Sequence, residues 1–312
     1  MRTQSLDTHP DAERALIEVI RKASIAKRFQ LVQSLTQSAC WSSIRAWLQS
    51  HPGAKEQEAA LHLVSCTYGT EMAQIIREPL EQDASWHIQP ADLLAVISPA
   101  IAVFHELGVP CYLGGSLASS LHGMQQMAQD IDLVVDLRNC PVSSLCTSLT
   151  QHYLIEERMI QQAMLRHTSF SLLHLDSLMK IDVVISKFDA FDTAMRPLVR
   201  EYKLDKQYPP FRVASVYEMI LFKLQRFQHH EQAHPNRLMD DAEWNDIVGM
   251  LKVQGPFLDQ ELLVWWVKRL GIGMAWRKAI TDTGLGNVEV GEVIGQQEKT
   301  GEKERMLDVH VS

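Results

Sequence analysis

Apolar positions fall into two textures along the chain, and the change between them sets the predicted architecture. Through the first ninety residues they recur at helical spacing. Pro10 can open one helix, and Ser24 caps the next, on which Leu31, Val32, Leu35 and Trp41 lie near one face. His51-Pro52-Gly53 ends that segment. A third helix spans Lys55 to Thr67, Tyr68-Gly69 breaks the pattern, and a fourth runs from Glu71 to Leu80. Glu81 to Pro90 is polar and reads as a linker. Beyond it a helix from Ala91 to Leu107 leads into a short strand, Cys111-Tyr112-Leu113. Two glycines follow, then a helix from Ser116 to His122 with Gly123 as its stop. Asp130 to Val135 alternates as a strand. After a polar helical stretch, Thr168 to Leu175 and Leu178 to Ile185 form a hairpin about Asp176-Ser177. From Phe191 to Thr281 the chain reads as mostly helical, and the tail after Gly284 has no period, so loose order is expected there.

The fold class is therefore α+β. A helical module (10–83) precedes a domain built on a small mixed sheet (91–255), with C-terminal helices (256–283) and a tail (284–312). A length of 312 residues accommodates this. Thirty basic against thirty-eight acidic side chains give a formal charge of -8, which speaks against a broad basic surface coating nucleic acid. Residues 11–83 carry eight basic and nine acidic side chains, so no DNA-reading surface is expected there either. Cys40, Cys66, Cys111, Cys140 and Cys146 are odd in number and lack C-x-x-C spacing, which predicts reduced thiols in a cytoplasmic protein. No signal-peptide core is visible at the N-terminus. The longest apolar run, Leu93 to Phe104, is too short to span a bilayer, and no membrane association is expected.

Chemistry concentrates between Gly114 and Asp182. Alternate residues of a strand share a face, so Asp130 and Asp132 stand side by side, roughly 6.6 Å apart along the strand. Such a pair calls for neutralisation, and hard cations such as Mg2+ (or Mn2+) prefer carboxylate oxygens together with phosphate and water. Asp182, in Lys180-Ile181-Asp182-Val183-Val184, supplies a third acid on another strand. Three carboxylates on adjacent strands can hold two metals roughly 3.5–4 Å apart, one activating an attacking hydroxyl and one holding the leaving group. Asp182 would be the general base, or the ligand that helps deprotonate the acceptor. Gly114-Gly115-Ser116 lies between a strand and a helix, where backbone N–H groups and the helix dipole favour an anion, and Ser116 adds a hydroxyl. A lone Gly-Gly-Ser is a common turn and a lone Asp-x-Asp a common strand end; the conjunction is what singles out these residues.

Gly114-Gly115-Ser116, Asp130-Ile131-Asp132 and Asp182 resemble the motif set of the DNA polymerase β-like nucleotidyltransferases. Lys180-Ile181-Asp182, the run from Ser215 to Leu224 and the later Asp246 more narrowly resemble the AbiEii-type toxins of type IV toxin–antitoxin systems. The resemblance covers about Val109 to Leu251. It implies a nucleotidyltransferase fold and transfer of a nucleoside monophosphate from a nucleoside triphosphate to a hydroxyl. In the toxin branch it implies an RNA acceptor and an antitoxin protein partner. The chain departs from the family near Gln126 and Ala128, where relatives tend to carry a basic residue and a Thr. That departure leaves an alternative open, a catalytically weak nucleotide-binding module used for protein interaction. A small-molecule acceptor such as an antibiotic is a third reading, which would require a narrow enclosed pocket.

Arg196, Arg200, Lys223, Arg226 and Arg237 are the candidate phosphate and acceptor contacts. Lys223 stands out because Ile220, Leu221, Phe222 and Leu224 surround it and direct it inward. Asp246 is expected to orient a neighbouring base or cap a helix contact rather than bind metal. His230-Glu231-Gln232-Ala233-His234 matches the H-E-x-x-H zinc signature, but Pro235 and polar neighbours oppose the apolar helix that motif needs, so a surface position without zinc is expected. Trp265, Trp266 and Trp276 read as packing between the C-terminal helices.

Overall fold

The computed structural model describes residues 2–285 apart from 6, 84, 90, 91 and 234–240. Helices α1 (Pro10–Lys22), α2 (Ile25–Ser50), α3 (Glu56–Tyr68) and α4 (Thr70–Gln82) come first, followed by α5 (Leu93–Glu106). The sheet strands are β1 (Cys111–Leu113), β2 (Asp130–Val135), β3 (Ser169–His174), β4 (Met179–Ile185), β5 (Arg200–Tyr202) and β6 (Phe211–Val213). Between them lie α6 (Gly115–His122), α7 (Val142–Leu149), α8 (Glu157–Arg166) and α9 (Ala190–Met195); α10 (Val216–Ala233), α11 (Asp241–Gln254), α12 (Gln260–Arg269) and α13 (Gly273–Thr283) complete the chain. The protein is α+β, with one six-stranded mixed sheet of order β3-β4-β2-β1-β6-β5. Parallel pairing joins β2 to β4 and β1 to β6, and the remaining neighbours are antiparallel.

Strand periodicity divides the sheet into two unlike faces. Ile131, Leu133 and Val135 of β2, with Ile181, Val183 and Ile185 of β4, turn into the core and are almost wholly buried. Asp130, Asp132 and Val134, with Lys180, Asp182 and Val184, take the opposite face and stay partly accessible. Two strands escape the sequence pattern. β5 and β6 are three residues long, too short to show a period of two, and tertiary pairing of Val213 with Leu113 and Arg200 with Val213 determines them.

The N-terminal helices pack directly on this frame. Ser24 caps α2 by accepting the Lys27 N–H. The buried face of α2 is Arg28, Phe29, Val32, Thr36 and Ile44, whereas Leu31 and Leu35 remain 40% and 46% exposed. Contacts with α6 and the loop after it select that face. The Arg28 guanidinium donates to the Leu121 carbonyl, and the Thr36 hydroxyl accepts the Ala128 N–H. Phe29 and Val32 join the main core, while α3 and α4 share a second core with Leu173 and Leu178 of the β3–β4 hairpin. The polar stretch expected as a linker is anchored by buried Trp86 and Ile88 and by the Gln89 N–H on the Asp176 carbonyl. At the other end Trp276 is fully buried and Trp266 nearly so. The five cysteines carry no disulfide. Among the described residues no helix is long and apolar enough to cross a membrane. The expected loose tail from residue 286 lies outside the described residues.

Candidate active site

Parallel pairing of β2 with β4 sets Asp132 beside Asp182 and Asp130 beside Lys180, all on the polar face of the sheet. The three carboxylates named from sequence thus share one side of two neighbouring strands. They are not equivalent. Lys180 Nζ lies 2.6 Å from Asp182 Oδ2 and 3.5 Å from Asp130 Oδ2. The other oxygen of Asp182 accepts the Ser171 hydroxyl from β3 at 2.6 Å. Both oxygens of Asp182 are engaged, and a fixed ammonium stands between the first and third acids.

The glycine turn meets these acids from β1. Gly114 N–H donates to the Asp132 carbonyl at 2.9 Å, tying the turn to the carboxylate strand. Gly115 has φ +58, and a Cβ there would collide with the Asp132 carboxylate. Only glycine permits that conformation together with so close an approach. The Asp132 carboxylate therefore rests against the first residue of α6, beside half-buried Ser116. Burial, followed by the charges of Asp130 and Asp182, pushes the Asp132 carboxyl up to about 6, against the opposing pull of Lys223 and Lys180. Negative charge exceeds positive charge in this corner.

Lys223 reaches inward from α10 and ends on Asp246 of α11, its Nζ 2.9 Å from Oδ2. Each side chain is 6% exposed. Gln126 donates from Nε2 to the other Asp246 oxygen at 2.9 Å, so the residue at one family departure completes this buried pair. Ala128, the other departure, is buried, and its N–H is bonded by Thr36 from α2. That hydroxyl is buried and donates to the Val32 carbonyl, so it is committed to the packing of α2.

The remaining basic candidates are distributed. Arg196 pairs with Asp136 and lies over the Phe188 ring, Arg226 pairs with Glu243, and Arg200 donates to the carbonyls of Pro197 and Val199. His230 lies half-buried and Glu231 exposed at the end of α10. His234, Pro235 and Arg237 lie outside the described residues, so the second histidine of the zinc-like motif has no described position.

Three neighbours of the acids were not singled out from sequence. Lys180 was detectable, because alternation in Lys180-Ile181-Asp182 puts both charged side chains on one face. Ser171 depends on the hairpin register with Asp182. Tyr68, at the end of α3, carries no local signal. Its hydroxyl donates to the Gln129 carbonyl at 2.7 Å and accepts the Lys180 N–H at 3.3 Å, bridging the starts of β2 and β4.

The donors suit a hard divalent cation in kind, and Asp130 with Asp132 offers an under-neutralised pair. Asp182 does not join them as they stand, because Lys180 and Ser171 hold it. Among the described residues no three His, Cys, Asp or Glu side chains are gathered to hold a metal ion.

No family model matches the chain. No curated protein matches it either. Among solved structures, the solution structure of the antibiotic-resistance factor ANT(2'')-Ia is similar at 14% identity and a TM-score of 0.35, covering 62% of this chain and 96% of that one. At that distance the likeness says nothing of substrate or chemistry.

Proposed function

We propose that this protein transfers a nucleoside monophosphate from a nucleoside triphosphate to a hydroxyl acceptor on the polar face of β2 and β4. The observation that carries this reading is the contact between Gly115 and Asp132. The Asp132 carboxylate lies so close against Gly115, at the start of α6, that no side chain fits between them. Phosphate held by Gly114, Gly115 and Ser116 would lie directly beside Asp130 and Asp132. Those two residues would hold a divalent cation, which supplies Lewis-acid stabilisation of phosphoryl oxygens when bound. Asp182, one strand across, is the residue we assign to the acceptor hydroxyl. Lys223 we assign to keeping Asp132 ionised from a distance, since its ammonium ends on Asp246 and is nearly sealed from solvent.

RNA is the acceptor that the AbiEii-like motifs favour, with an antitoxin as protein partner; both are finer than the geometry itself supports. The binding-module alternative keeps its ground in the two departures from the resembled pattern. Gln126 bonds Asp246 and the Ala128 N–H bonds the Thr36 hydroxyl, so neither position offers a cation or a free hydroxyl to a triphosphate. Incubation with Mg2+, each labelled triphosphate, total RNA and a panel of small hydroxylated acceptors tests the reading. Labelled RNA is expected, labelled small molecules alone would redirect the acceptor class, and no label from any triphosphate would favour the binding module.

A further inference from the structure

Lys180 has no part in the chemistry of nucleotidyl transfer proposed for this site, yet it is the cation that the site's own acids hold. Its backbone N–H is bonded by the Tyr68 hydroxyl, its ammonium lies 5.5 Å from the centre of the Tyr68 ring, and its Nζ touches Asp182 and approaches Asp130. Ser171 closes the other side of Asp182. A divalent ion placed on Asp182 would meet the ammonium that sits 2.6 Å from its Oδ2, closer than the 3.5 Å that separates the ammonium from Asp130, and the repulsion grows as the surroundings become less water-like.

We infer that Lys180 takes the place of a second divalent cation, so that the site loads one such ion, on Asp130 and Asp132, rather than two. The inference rests on the nucleotidyl-transfer reading for the first ion, and it deepens that reading. Charge supports it. Three carboxylates and one ammonium leave a charge that a single divalent ion neutralises, whereas the carboxylates without the lysine would leave room for more. Lys180 is thus a positioning residue, fixed by a tyrosine from the N-terminal helices, and those helices become part of the centre.

The test is equilibrium Mn2+ binding to the full chain without nucleotide, read as the loss of the free-ion electron paramagnetic resonance signal. The wild type should bind one ion per chain in this site. Lys180→Gln should bind a second, and Lys180→Arg, which keeps the charge, should bind one. Adding Asp182→Asn to Lys180→Gln should return the count to one. The tyrosine bridge uses only the Lys180 backbone, so these side-chain changes leave it in place, and Lys180→Met provides a second neutral variant. Two ions on the wild type, or one ion on both neutral variants, would overturn the inference while leaving the transfer reading intact. No ion on the wild type or either neutral variant would remove the cation from the proposed function, and this inference with it.

Discussion

Two lysine–aspartate pairs lie near the candidate site, and they behave as opposites. Lys223 and Asp246 form a closed pair, each 6% exposed, with Gln126 on the remaining carboxylate oxygen. Lys180 and Asp182 are 17% and 21% exposed, and Asp130, at 34%, competes for the same ammonium. A closed, fully bonded pair is structural, because removing either member strands a buried charge. An open pair loses less when one charge goes, because solvent reaches the remaining charge in part. The first pair joins two helices, with Lys223 lending its charge to Asp132 only from a distance, and the second acts directly among the acids; burial together with charge balance separates them.

The contrast can be broken most forcefully at the acid pair. Asp132→Asn keeps shape and removes one charge where transition-state charge would be met. Nucleotide incorporation should fall by at least about 10²–10³, the loss seen when one preorganised oxyanion donor is removed. The circular dichroism spectrum should stay native; unchanged incorporation would place the chemistry elsewhere. Next comes the closed pair itself. Lys223→Met should destabilise the protein by about 3–5 kcal/mol in urea unfolding, because Asp246 is left buried and unpaired. Lys180→Met should cost less than Lys223→Met, because Asp182 keeps the Ser171 hydroxyl and solvent reaches the corner in part. Equal losses from the two substitutions would erase the distinction.

A smaller effect comes from the raised Asp132 carboxyl. An acid whose folded value, about 6, exceeds its unfolded value near 4 binds its proton more tightly when folded. Its contribution is fully present below the unfolded value and is lost as pH rises through about 6. Glu218, pushed up to about 7 mainly by burial, acts in the same direction. The metal-free wild type should therefore lose melting temperature relative to Asp132→Asn between about pH 4 and 6. Parallel curves for the two proteins would show that Asp132 is not raised. The smallest effect is at the bridge between strands. Tyr68→Phe removes a hydroxyl that bonds Gln129 and Lys180, and should cost about 1 kcal/mol. No measurable cost would mean that this bridge contributes nothing to the fold.

The parts of this arrangement that are local in sequence were legible there. Cys111–Leu113, the glycine turn, the Asp130 strand and the hairpin ending at Ile185 each carry their own periodicity or turn chemistry, and each appears within a residue or two of expectation. Whatever depends on a distant partner was not. β5 and β6 exist because β1 offers an edge, and the buried face of α2 is chosen by Leu121 and Ala128 rather than by the Leu31 and Leu35 spacing. In the site, the acids and glycines follow from residue type and spacing. The Asp182–Ser171 bond requires the hairpin register, and Tyr68 reaches Lys180 across 112 positions of chain. Gln126 bonds Asp246, 120 positions away, a place that no local pattern encodes.

Nucleotidyl transfer is tested most directly by asking which phosphorus of the triphosphate reaches the acceptor. With Mg2+ and total RNA, label at the α-phosphorus should appear covalently on the acceptor, label at the γ-phosphorus should leave with diphosphate, and Asp132→Asn should transfer neither. Transfer of γ-label would make the protein a phosphoryl-transfer enzyme, and absence of both labels with wild-type protein across all four triphosphates and both acceptor classes would contradict catalysis at Asp130, Asp132 and Asp182.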